Sequence, residues 1–161
     1  MDGNIEGGVT VEADETFACL SAGAMPDTCK IMARLSFTKG TRSCGIMLRA
    51  SGDMDEAYYI RLEPLYNRLV FDMWPRKIKG EAQWHIDRDR PHAVELEVPA
   101  ELRAGTVYDL EIVVENSVCV VYLGGQVAMT TRLNNLKAGS WGCFVQEGRA
   151  NFEQASISVP N

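Results

Sequence analysis

"YDLEIVVENSVCVVYLGGQVAMTTRL", residues 108–133, holds three runs in which apolar side chains recur at every second position, broken at Glu115-Asn116 and at Gly124-Gly125. Period two is the spacing of a strand with one buried face, and such residue pairs suit the tight left-handed turns of hairpins. The stretch reads as three antiparallel strands in a meander, at 108–115, 118–125 and 126–133.

The same alternation continues on both sides of it. Further strands are expected at 9–12, 16–20, 29–38, 45–50, 57–63, 68–74, 92–98, 142–147 and 152–159, separated by turn-forming segments such as "SGDMDE", "PLYN" and "AGS". Helical periodicity is almost absent. About a dozen short strands at this spacing predict an all-β domain, a two-sheet sandwich or barrel rather than βαβ units.

With 161 residues the chain is the size of one domain, expected over 9–161 behind a polar, Gly-rich, frayed end at 1–8. The charge of −6 comes without a Lys/Arg cluster, so neither nucleic acid nor an anionic membrane surface is an expected partner. No run approaches the roughly 18 apolar residues of a membrane span, and the first fifteen residues carry neither a basic leader nor an apolar signal core. The expectation is a soluble chain, cytoplasmic or cut from a longer, secreted one. Cys19, Cys29, Cys44, Cys119 and Cys143 are odd in number, widely spaced and without a CxxC pair, which points to reduced thiols, with Cys119 and Cys143 as small buried hydrophobes.

Alternation also sorts side chains between faces. Ile46, Leu48 and Ala50 share one face and Met47 and Arg49 the other; Tyr58, Ile60 and Leu62 oppose Tyr59, Arg61 and Glu63; Leu69, Phe71 and Met73 oppose Val70, Asp72 and Trp74. If these segments are neighbours, Arg49, Tyr59, Arg61, Glu63, Asp72 and Trp74 gather on one sheet face. Carboxylates and guanidinium groups hydrogen-bond vicinal hydroxyls, and an indole or phenol covers the apolar face of a sugar ring. A solvated face of cross-strand ion pairs is equally ordinary and contributes only about 0–1 kcal/mol per pair. An exposed Trp74 among the charges favours the sugar. Trp141 and Glu147 are candidates to complete the area, although an aromatic beside a glycine turn is more often a packing plug; Trp84 and His85 are candidates for its rim.

No catalytic or metal site is assigned. Glu63 and Asp72 could form a glycosidase pair only at a defined separation, and no dense run of alternating carboxylates is present. His85 and His92 belong to no triad motif, and "GDMDEA" with Asp53, Asp55 and Glu56 lacks the ligand spacing of a calcium loop. No cofactor is expected.

The blocks "GIMLRASGDMDEAYYIRLEPLYNRLVFDMWPR" (45–76), "RPHAVELEVP" (90–99), "YDLEIVVENSVCVVYLGGQVAMTTRL" (108–133) and "GSWGCFVQEGRANFEQASIS" (139–158) together resemble the C-terminal β-sandwich of glycoside hydrolase family 32, the invertases, levanases and inulinases. The resemblance implies a concanavalin-like or lectin-like antiparallel jelly-roll sandwich that packs against a catalytic propeller. None of the propeller's catalytic motifs is present, so the chain is not expected to be an enzyme by itself. The sequence is similar as well to carbohydrate-binding module family 66, which implies recognition of a fructose-containing sugar such as levan through acidic, Arg and aromatic side chains on one sheet face. The expected function is therefore a non-catalytic carbohydrate-binding or accessory domain of a glycosidase. The alternatives are a purely structural buttress of a catalytic domain and a small lectin-fold hydrolase.

Overall fold

The computed structural model describes residues 4, 5, 7–54, 56–74 and 96–160. Among the described residues ten strands carry the fold: β1 (Val9–Ala24), β2 (Thr28–Phe37), β3 (Ser43–Ala50), β4 (Ala57–Glu63), β5 (Arg68–Trp74), β6 (Leu96–Pro99), β7 (Tyr108–Glu115), β8 (Val118–Leu123), β9 (Gln126–Arg132) and β10 (Ser140–Ser158). The three-strand meander stands as expected, β7 against β8 and β8 against β9. Its second turn places Gly124 and Gly125 at φ 62° and 84°, the left-handed geometry glycine allows cheaply. "PLYN" is a single 3₁₀ turn, Pro64–Tyr66, closed by Asn67 in the left-handed region.

Two pairs of expected strands are fused. Segments 9–12 and 16–20 belong to one strand, β1, and 142–147 and 152–159 to another, β10. β10 passes from one sheet to the other: residues 140–146 pair with β3 and residues 150–158 with β2. β1 follows residues 140–152 of it, with register breaks between Ala13 and Phe17 and between Ser21 and Gly23. Glu147, at φ 48°, and Gly148 lie at the passage, and a Cβ on Gly148 would stand 2.5 Å from the Thr41 Cα. No larger residue fits there, so the glycine is what lets the strand continue between the two expected segments.

Sheet I is thus β6-β5-β4-β3 with the first half of β10 and the second half of β1; sheet II is β9-β8-β7-β2 with the remaining halves. The chain is an all-β antiparallel sandwich of the lectin-like jelly-roll type. One core fills the space between the layers, with Ile31, Leu35, Ile112 and Val121 from sheet II meeting Ile46, Ile60, Leu62 and Phe71 from sheet I. Ile5 pairs with Ala155 and Asn4 Oδ1 accepts from Ile157 N, so both residues lie against β10.

The expected alternation fails at one place in sheet I. Ser140 pairs with Ala50 and Gly142 with Met47, so two residues of β3, Leu48 and Arg49, oppose Trp141 alone. This is a β-bulge, and Arg49 at φ 50° takes its strain. From here the parity reverses: Ala50 packs with Met47 on the outer face instead of with Ile46 and Leu48.

Candidate functional site

Two neighbouring strands, β4 and β5, bring Tyr59, Arg61 and Asp72 to the outer face of sheet I, with Tyr59 and Asp72 directly opposed. Between Arg61 on β4 and Phe144 on β10 the register places Gly45. A Cβ there would lie 2.0 Å from the Ile60 carbonyl oxygen, so only glycine fits. The missing side chain leaves room for the Arg61 guanidinium, whose Cζ stands 5.7 Å from the Phe144 ring and 5.5 Å from the Tyr59 ring. Its Nη1 donates to Gln146 Oε1 at 3.2 Å, and its Nη2 to Asp72 Oδ1 at 3.0 Å. Ser43 Oγ donates to the same Gln146 oxygen at 3.0 Å.

This row runs on to both edges. Glu63 accepts from Arg68 Nε, and Arg68 also pairs with Glu97 on β6. Burial lowers the proton affinity of Arg68, but the hydrogen bond and charge of Glu63, with the charge of Glu97, outweigh it and hold the guanidinium above its ordinary value. At the opposite edge Arg42 Nη1 meets Glu147 Oε2 at 3.3 Å. Both side chains are 40% exposed. They flank a cleft of about 430 Å³ that Thr41, Pro64 and Leu65 help to line. Leu65 and Tyr66 stand exposed on the 3₁₀ turn, with the Arg68 Cζ 4.8 Å from the Tyr66 ring centroid.

The middle of the row is closed to solvent. Met47, Tyr59 and Phe144 form a second apolar cluster with Ala50 and Ala57, against which Phe17 packs. Phe17 and Phe144 stack at 5.2 Å, and Tyr59 meets both edge-on. Burial, with smaller contributions from Cys19 and Asp72, pushes the Tyr59 phenol above its ordinary range. Arg61 retains 8% exposure, and its Nε has no hydrogen-bond partner.

Of the residues proposed from sequence, Tyr59, Arg61, Glu63 and Asp72 share the outer face, and Glu147 stands at its edge. Arg49 does not join them. The bulge turns it inward, where Nη1 donates to the carbonyls of Leu133 and Leu136 and Nη2 to that of Asn116, tying β3 to the connections around β8 and β9. Trp141 is a core residue at 0% exposure, the packing plug its glycine neighbour suggested. Trp74 ends β5 opposite Ala57, and its side chain lies outside the described residues, as do Asp55, Trp84, His85 and His92. Sequence reasoning missed Arg42, Ser43, Arg68 and Gln146. The first two sit in "TRSCG", whose strand character starts two residues earlier than its alternation shows; Gln146 lies inside the expected strand 142–147, where alternation set it on the face opposite to Glu147.

Glu63 and Asp72 each face a guanidinium of their own, Arg68 and Arg61. Two carboxylates so occupied do not resemble a free acid and a free base across one bond. Among the described residues no group of three or more His, Cys, Asp or Glu side chains is placed to hold a metal ion.

The architecture has counterparts among solved structures. It superposes on the carbohydrate-binding module CBM66 from Bacillus subtilis with a TM-score of 0.75 at 14% identity, over 95% of this chain and 96% of that one. The chain has a lectin-like fold. A fructosyltransferase from A. japonicus contains the same sandwich, with TM-score 0.68 and 21% identity over 96% of this chain but only 26% of the enzyme. A Caenorhabditis elegans galectin matches over 92% of this chain and 95% of its own length, with TM-score 0.61 and 12% identity. The chain therefore spans whole binding modules and about a quarter of the enzyme. No protein-family model and no curated protein sequence matches it.

Proposed function

We propose that this chain is a non-catalytic carbohydrate-binding module acting beside a glycosidase, and that it holds a terminal sugar at the cleft between Arg42 and Glu147. The observation that carries this reading is the polar row on the outer face of sheet I, fixed in its middle by Arg61, Asp72 and Gln146 and ending in a half-exposed ion pair at an open cleft. Arg42 donates to, and Glu147 accepts from, adjacent ring hydroxyls, which needs no movement of the buried network. Glu63 and Arg68 extend the set toward Tyr66. Trp74 stays a proposed stacking residue on the ground of the sequence pattern alone. A fructan is the proposed sugar, supported by the match to a fructosyltransferase and to a carbohydrate-binding module.

The test is calorimetric titration of the purified chain with fructose, levan and inulin alongside Trp fluorescence. Trp141 is sealed in the core, so a change in emission reports Trp74 or Trp84. Saturable heat that is lost in Glu147→Ala, with an unchanged melting temperature, supports the reading. Silence across the panel, in fluorescence and calorimetry alike, sinks it.

A second reading, a structural domain that buttresses a catalytic neighbour, is favoured by the exposed Leu65 and Tyr66 beside the sealed centre of the face. It predicts no sugar heat and tighter association with the neighbour than Leu65→Asp allows.

A further inference from the structure

The two sheets differ on their outer sides. Sheet I is closed by an aromatic cluster, whereas sheet II carries an open groove of about 510 Å³ across β10, β2, β7 and the β8–β9 turn. Two adjacent rows of side chains form its floor. In the first, Ser156 stands opposite Met32 and Met32 opposite Glu111. In the second, Gln154 stands opposite Arg34 and Arg34 opposite Asp109.

Met32 is the unusual member. It is 47% exposed on β2, a strand flanked by neighbours on both sides. Among the described residues, the other exposed large apolar side chains lie on the edge strands β1 and β9, in turns, or after β10. Leaving a large thioether in water in the middle of a sheet costs about 25 cal/mol for each Å² that stays wet. The groups around it form ion pairs. Arg34 Nε meets Asp109 Oδ1 at 3.0 Å, and Lys30 Nζ meets Glu111 Oε1 at 3.9 Å. Arg34, Asp109 and Glu111 line the groove and Lys30 stands beside it against Glu111, so two cations balance two anions and no excess positive charge draws a polyanion.

We propose that this groove is a second carbohydrate site, one that takes internal residues of a neutral, linear polysaccharide. The apolar C–H face of one ring lies on Met32, and the hydroxyls meet Gln154, Ser156 and the Arg34–Asp109 pair. Three strand spacings, roughly 14 Å, accommodate more than one ring. The groove ends at Gly124 and Gly125, where a Cβ would meet nothing within 4 Å. A polymer can run out over this open end, which distinguishes the groove from a pocket for a chain terminus. The inference rests on the carbohydrate-binding reading above and assigns a different face and a different part of the polymer.

Affinity electrophoresis through gels containing soluble levan, inulin, xylan or laminarin tests it, with calorimetric titration of free fructose in parallel. Met32→Asp and the double variant Arg34→Ala, Asp109→Ala change exposed side chains, and melting curves check that they fold. The expected result is a polymer dissociation constant raised about tenfold or more in both, with fructose binding unchanged; Glu147→Ala shows the reverse. Equal retardation of the parent and both sheet II variants overturns the second site and leaves the first standing. A parent that binds fructose but is retarded by no polymer overturns it as well, and a parent that binds neither overturns both sites.

Discussion

Arg49 and Arg61 are both nearly excluded from water in sheet I, and their partners differ in kind. Arg61 faces a carboxylate, Asp72, with both side chains at most 13% exposed. Removing Arg61 takes a charge partner from a nearly buried carboxylate, so Arg61→Ala should lower the free energy of unfolding in urea by about 3 kcal/mol. Arg61→Lys should recover only part of this, because an ammonium cannot span Asp72 and Gln146 as a planar fork does. Arg49 instead satisfies three main-chain carbonyls. Arg49→Met keeps the bulk and orphans those oxygens, with an expected loss of about 3 kcal/mol or more and faster amide exchange around residues 133–136. Sugar binding should survive Arg49→Met in the folded fraction, which separates the inward arginine from the outer row.

At the scale of the strand, glycine and cysteine carry the sharpest constraints. Gly45→Ala places a methyl 2.0 Å from the Ile60 carbonyl, and the expected destabilisation is about 3 kcal/mol, with loss of soluble protein as the extreme outcome. Cys29, Cys44, Cys119 and Cys143 lie on the inner faces of β2, β3, β8 and β10. Burial pushes the Cys29 thiol up to about 11 and the other three to about 12, from an ordinary value near 9. The unfolded chain therefore gives up these protons first as pH rises. Their contribution to stability is intact below pH 9 and is lost between about 9 and 12, which unfolding curves at stepped alkaline pH would register. In the native state at pH 8 a thiol reagent should label Cys19 alone, with more than one label per chain counting against this packing. The strands were legible in the sequence because alternation is local: β4, β5 and β7 occupy the expected residues. What was not legible depends on partners distant in sequence. The inward turn of Arg49 follows from a bulge opposite Trp141. The continuity of β10 through Gly148 follows from Thr41, a residue on another segment of chain.

For the whole molecule, the shared strands matter most. Because β1 and β10 each belong to both sheets, neither layer can come apart without exposing the core of the other. A single calorimetric transition is expected, with van't Hoff and calorimetric enthalpies in agreement; two resolved transitions would show that the layers are separable. The same topology gives the sandwich two outer surfaces of different character, one closed by rings and one open across its strands. It also constrains synthesis. Val9 pairs with Phe152 and Ala24 with Ser140, so a chain emerging from the ribosome holds β1 for more than a hundred residues before its partner exists. Until then the inner edges of β2 and β3, both destined for β10, face solvent or a chaperone together. Slow passage through the ribosome between β3 and β10 should therefore raise aggregation more than an equal delay placed after residue 158.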